Sequence, residues 1–226
     1  MYPGTSVVPA AQFFATARAP VRRDLLSPRI RLLWGDMSQP SSASAAAVGS
    51  ASGTSAAWQD LFHTLFTLGL ERFSGGTRGA SALFSAAEVA QLEAMGFRAQ
   101  EIYDFVEDNA NYGEPVWATV LAVQTVRHEY FTKVQDGVLP AGRYALADFP
   151  AKSAAVDGIS WLPRLIMKAR AKLRGQLPDE LMYGCAGDRH FFAEHRLELP
   201  TFLREVWRAG EDTAAIVEYV KNPSSR

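Results

Sequence analysis

The stretch Leu162-Pro163-Arg164-Leu165-Ile166-Met167-Lys168-Ala169-Arg170-Ala171-Lys172-Leu173-Arg174 decides the fold class. At about 100° per residue, Leu162, Leu165, Ile166, Ala169 and Leu173 fall within one arc, so the segment reads as an amphipathic helix. Pro163 suits a first turn, where its missing N–H leaves no donor unpaired. Arg164, Lys168 and Lys172 follow one another at four-residue steps along one edge of that helix, and Arg170 and Arg174 lie on the far side. Between Gly158 and Pro178 there are five basic residues and no acidic one. Helices usually interleave acids to gain i, i+4 pairs, and like charges at that spacing repel. An uncompensated row therefore asks for a partner elsewhere, or forms a solvated face whose long stems cover apolar surface.

Working outward, the period stays helical. Trp58, Leu61, Phe62, Leu65, Phe66 and Leu70 recur at three- and four-residue steps. Ser85 with Glu88 three residues later forms a capping box for a helix through Met95, stopped at Gly96. Further helices are predicted over Ala99–Asp108 and from Pro115 to about Val134, then over Asp188–His195, Pro200–Ala209 and Asp212–Lys221. Pro140, Gly142 and Pro150 mark 139–157 as a connecting loop. No strand alternation stands out. The expectation is an all-α domain of seven to eight helices over 58–226.

The first 57 residues read differently. Arg18, Arg22, Arg23, Arg29 and Arg31 face only Asp24 and Asp36, and Ser41–Ala57 is almost wholly Ser, Ala, Gly and Thr. Such composition cannot offset the entropy of ordering by itself, so 1–57 is expected to be an extended, basic, low-complexity arm and linker. An Arg-rich, acid-poor arm is also how an organelle transit peptide reads, and Met37 offers a second start. The expected location is the cytoplasm, or an organelle matrix or stroma if the arm is a transit peptide.

Bulk properties exclude several classes. The 226 residues carry a formal net charge of −1, so no bulk attraction to nucleic acid operates, and no stacking-aromatic module accompanies the basic residues. One cysteine, Cys185, rules out an internal disulfide framework and a Cys-rich zinc site. No apolar run approaches the roughly 20 residues that a membrane-spanning helix needs.

Leu162, Pro163, Arg164, Lys168, Arg170, Ala171, Leu173 and Gly175, followed by Tyr183, Cys185 and Asp188, resemble a bacterial family catalogued as domain of unknown function 5069. Phe202–Trp207 and Ile216–Val220 continue the likeness, which covers about 150–221. Met167 and Ala186-Gly187 depart from the family's usual residues. The resemblance implies a small helical domain and brings no chemistry with it.

Candidate sites follow from residue type and spacing. Gly184-Cys185-Ala186-Gly187 runs into Asp188, which reads as the N-cap of the helix carrying His190. Backbone N–H groups at a helix start attract anions, and the same location favours a thiolate. With Arg164 and Lys168 nearby, the loop would form an anion pocket rimmed by Cys185, with Tyr183 and His190 as further catalytic candidates. His190, Glu194 and His195 do not make a metal box, since imidazoles five apart diverge by about 140° round a helix. Neither a metal nor a cofactor is expected.

Two functions result. The first is a non-enzymatic binding or assembly subunit that meets an acidic protein partner through Arg164, Lys168, Arg170, Lys172 and Arg174 and through the arm, with peripheral membrane contact as a variant. The second is a small enzyme or carrier for a phosphorylated or carboxylated metabolite held by Arg164, Lys168 and the Gly184–Asp188 loop. An internal partner also exists: Glu101, Asp104, Glu107, Asp108 and Glu114 make 98–114 acidic, and its adjacency to the basic helix would make the charges structural.

Overall fold

A computed structural model describes residues 51–223. Nine helices occur among them: α1 Ala51–Ser74, α2 Ala80–Leu83, α3 Ala86–Ala94, α4 Ala99–Tyr112, α5 Trp117–Val134, α6 Leu162–Arg174, α7 Ala186–Glu194, α8 Leu199–Ala209 and α9 Thr213–Lys221. The all-α expectation holds, with one more helix than foreseen. The addition is α2, a single turn. Of the expected arm and linker, residues 51–57 form the first turns of α1, and the rest lie outside the described residues.

Local signals account for most helix ends. Ser85 and Glu88 close the capping box of α3, the hydroxyl accepting from the Glu88 N–H and the carboxylate accepting from the Ser85 N–H. Asp212 caps α9 by accepting from the Ala215 N–H. α6 ends at Gly175, whose φ of 65° is the left-handed conformation that glycine adopts without strain. An added Cβ there would stand 2.5 Å from Nη2 of Arg127, so close packing also requires glycine.

The expected loop over 139–157 contains a 3-10 turn at Leu146–Asp148, and 155–160 holds a minimal hairpin. Strand β1, Ala155–Val156, pairs antiparallel with β2, Ile159–Ser160. Asp157 and Gly158 join them, both with positive φ, as a two-residue type I′ turn demands.

The core gathers the predicted apolar faces. Phe62, Leu65 and Phe66 of α1 pack against α4, whose Ile102, Phe105 and Val106 are buried. Helix α6 packs against both α5 and α8, and all five residues of its predicted apolar arc are buried. No helix of the described residues is long and apolar enough to cross a membrane.

Candidate functional site

Helix α6 buries more than its apolar arc. Lys168 and Lys172, expected along an accessible edge, are only 2% and 1% exposed. The buried face therefore widens to include two cations one turn apart. Stranding an ammonium in a core costs several kcal/mol, so each needs a counter-charge.

Lys168 finds Asp188, which is fully buried, and its Nζ also lies 3.4 Å from the Cys185 sulfur. Lys172 finds Glu101 of α4, Nζ to Oε2 at 3.0 Å. The remaining cations of α6 are engaged too. Arg164 donates to the Pro150 carbonyl at 2.7 Å. Arg170 donates to the Gly210 carbonyl, and Arg174 to the Tyr144 hydroxyl and Glu211. The row read as unpartnered is thus served within the chain, partly by the acidic helix.

Asp188 is not the cap of α7, as expected from sequence. Cys185 occupies the N-cap position, and Asp188 sits in the first turn. Its carboxylate accepts from Lys168, from the Gly184 N–H at 2.9 Å and from the Trp161 indole N–H at 3.0 Å. One buried carboxylate therefore ties α6, α7 and the end of the hairpin together. Trp161 reaches it by an uncommon route: a non-glycine residue with φ of 69°, whose indole lies so close over Gly187 that an added Cβ would be 2.8 Å away. Conformations of this kind persist only where surroundings hold them.

The other candidates separate. Tyr183 is buried and donates to the Leu199 carbonyl at 2.8 Å, and burial pushes its hydroxyl well above the usual phenol range. It is a packing residue. His190 is exposed, and lines a different pocket with Glu194 and His195, beyond the Trp161 indole. Among the described residues no group of ligands could hold a metal ion. Cys185, half-buried, does reach a cavity.

That cavity, about 430 Å³, lies between α4, α6 and the 179–187 segment. Its lining carries Lys152, Arg164 and Lys168, and against them Asp104, Glu107, Asp108, Asp179 and Glu180. Trp161, Leu181, Met182 and Cys185 supply the less polar surface. The arrangement follows from the two charged rows. α4 presents Glu101, Asp104 and Asp108 at helical spacing, and α6 presents Lys172, Lys168 and Arg164. Only the rung Lys172–Glu101 closes. At the next position Lys168 turns to Asp188 instead, and the helices leave a cleft.

Several of the acids are occupied. Asp108 accepts from Arg189 at 2.8 Å, Glu107 accepts from the Tyr103 hydroxyl at 2.9 Å, and Asp179 pairs with Arg143. Asp104 accepts only from Gln100 of its own helix, at 2.8 Å. Burial, reinforced by Glu101 and opposed by the Gln100 bond, pushes its carboxyl up to about 7.

A pH prediction follows. The folded state holds the Asp104 proton up to about pH 7, whereas the unfolded chain releases it near the ordinary value of 3.8. Stability linked to this group is present in full below the unfolded value and is lost as pH rises through 7. Asp104→Asn removes the loss. Urea unfolding of the ligand-free protein at pH 5 and pH 8 should show the variant gaining about 1–2 kcal/mol relative to the parent on going to the higher pH, a value reduced for partial solvent access. Parallel pH curves for the two proteins would contradict the assignment.

A larger groove, about 520 Å³, runs between the start of α5 and the start of α8, lined by Val116, Ala118, Phe192, Leu199 and Pro200 among others. Its surface is mainly apolar, with Glu114, Arg189 and Glu198 its charged residues. The smaller cleft is the one that concentrates titratable and nucleophilic groups.

Residues 150–226 match the model of a family described as Domain of unknown function (DUF5069). No curated protein and no solved structure matches the chain. The matched stretch contains α6, α7, Trp161, Cys185 and Asp188, while Glu101 and Asp104 on α4 precede it. The cleft therefore joins family-matched residues to a wall contributed by the earlier part of the chain.

Proposed function

We propose that the protein is a small-molecule binding protein, a carrier or a small enzyme, whose ligand occupies the cleft between α4 and α6. One observation carries the reading: two complementary charged rows close on a single rung and then part around a 430 Å³ cavity, leaving Asp104 half-buried at its edge with the Gln100 amide as its hydrogen-bond partner. Core packing alone gives no reason to hold such a wall apart. Pockets of this size with a few convergent polar groups and a carboxyl shifted towards neutrality are characteristic of ligand sites.

The expected use of α6 as a contact surface for an acidic protein has less support, because Lys168 and Lys172 are buried and the three arginines are engaged within the chain. An accessory role would need another surface, and Tyr112 and Val116, 73% and 54% exposed, are the most accessible large apolar residues around the α4–α5 turn.

Cys185 gives a direct readout of the cleft. It is the single cysteine of the chain, so a maleimide reports on this site alone. Labelling should be slowed several-fold by a metabolite fraction from cells, with recovery after dialysis. An unchanged rate with every fraction, for a protein whose thiol labels readily, would overturn the ligand-site reading.

A further inference from the structure

The acids of the cleft outnumber its cations five to three, and the one cation at its centre, Lys168, is already neutralised by Asp188. Two of those acids are neutralised as well, Asp108 by Arg189 and Asp179 by Arg143, so the cleft offers both signs of charge, with Glu107 and Glu180 against Lys152 and Arg164. The inner end is also distinctive. A second void of about 10 Å³, room for one water-sized group, adjoins the cleft and shares Asp104, Leu181 and Met182 with it. Glu101 and Lys172 line that void. Glu101 is only 7% exposed, and while its Oε2 accepts from Lys172, its Oε1 has no hydrogen-bond partner. A buried carboxylate oxygen left without a donor costs about 1–3 kcal/mol, so donors are wanted at this end. At the other end Arg164 and Lys152 line the cleft, Lys152 lying 5.9 Å over the Trp161 ring.

We propose that the ligand is a small amino carboxylate, a zwitterion bound with its primary ammonium against Asp104 at the inner end and its carboxylate towards Arg164 and Lys152. The inference rests on the cleft being a ligand site, and it fixes the chemistry of that ligand and its direction. An ammonium supplies three donors and a positive charge. One donor serves Asp104, and a water in the 10 Å³ void passes a second to Oε1 of Glu101. The neighbouring Lys172 cannot replace it, because its ammonium is held by the other oxygen of Glu101. Since burial raises Asp104, an ammonium beside it brings the carboxyl back into its ionised form, which couples binding to proton release.

The test uses the full chain and three kinds of probe, read by calorimetry and by the labelling rate of Cys185. The first is a panel of the twenty protein amino acids with β-alanine and γ-aminobutyrate. The second is putrescine, a cation alone, and the third is inorganic phosphate, an anion alone. At least one amino carboxylate should bind and slow labelling several-fold. Its N-acetyl derivative and its carboxamide should each bind at least ten-fold more weakly. Asp104→Asn, which keeps the size and the Gln100 contact, should weaken the same probe at least ten-fold, and Lys152→Ala about three-fold. Binding should release protons at pH 6.5, seen as a dependence of the heat on buffer ionisation.

Equal binding of the N-acetyl derivative, or undiminished binding by Asp104→Asn, would overturn the zwitterion assignment. Protection of Cys185 by phosphate or by putrescine alone would overturn it too, while leaving the ligand-site reading intact. If no amino carboxylate binds, the assignment fails; if phosphate and putrescine also leave the thiol unprotected and the metabolite fractions do the same, the cleft reading fails with it.

Discussion

Asp188→Ala is expected to cost about 3–5 kcal/mol of folding stability, enough to leave a domain of this size close to unfolding at room temperature. The side chain is fully buried, and three donors converge on it. Removing it strands the Lys168 ammonium, 2% exposed, with the Cys185 sulfur as its remaining contact. It also frees the buried Gly184 N–H and the part-buried Trp161 indole N–H. Each unpaired donor carries its own desolvation cost. Trp161, held at φ 69° partly by that bond, should then relax, and the wall it forms between the cleft and the neighbouring pocket should go with it. Asp188→Asn keeps the size but offers Lys168 no charge, so it should recover a minority of the loss. Urea unfolding monitored by far-ultraviolet circular dichroism measures both. A loss under about 1 kcal/mol for Asp188→Ala would mean that water reaches the pair and that the residue does not hold the loop.

The same residue shows where sequence reading stops. That α6 spans 162–174 was legible, because an apolar arc, a first-turn proline and a terminal glycine are all local signals. The capping box at Ser85 was legible for the same reason. Burial of Lys168 and Lys172 was not. On a wheel they form a charged edge, and an edge becomes core only if a counter-charge arrives from elsewhere. Asp188 lies 20 residues along the chain from Lys168, and Glu101 lies 71 residues from Lys172. Nothing local encodes either meeting.

Asp188 itself looked like a cap, since an acid before a helix reads that way. Its real role depends on Lys168 and Trp161 approaching from the other side. The hairpin, by contrast, carried a readable signal: Asp157-Gly158 between two pairs of strand-compatible residues. Two residues per strand are too few for alternation to register against the surrounding loop. The cleft was half visible. Arg164, Lys168, Cys185 and the Gly184–Asp188 loop do come together, but the α4 wall with Asp104 was read as a possible neutralising partner and not as part of a site. A single closed rung beside an open one is a matter of tertiary geometry, and no spacing rule anticipates it.

The second large effect concerns that closed rung, where the two partners should not be equivalent. Glu101 acts on two buried cations. Lys172 contacts it at 3.0 Å, and Arg127, fully buried on α5, also responds to its charge. Burial lowers the Arg127 guanidinium to about 10 and depresses the Lys172 ammonium, and in both Glu101 is the largest opposing influence. Arg127 gives Nη1 to Gln135 at 2.7 Å, but its Nε and Nη2 have no partner. Removing the acid therefore leaves two buried cations that repel each other, with Asp104 the remaining acid that acts on Lys172. Glu101→Leu should cost about 3–5 kcal/mol. Removing the base leaves one carboxylate still opposed to a guanidinium with free donors. Lys172→Met should therefore cost less, about 1–3 kcal/mol, a long thioether filling most of the vacated volume. The double variant, Glu101→Leu with Lys172→Met, should be more stable than Glu101→Leu alone, since it strands one cation and not two. A double-mutant cycle by urea unfolding gives the three values. If Lys172→Met cost as much as Glu101→Leu, Arg127 would not share the carboxylate, and the pair would be an isolated ion bridge instead of the centre of a three-residue cluster beneath the cleft.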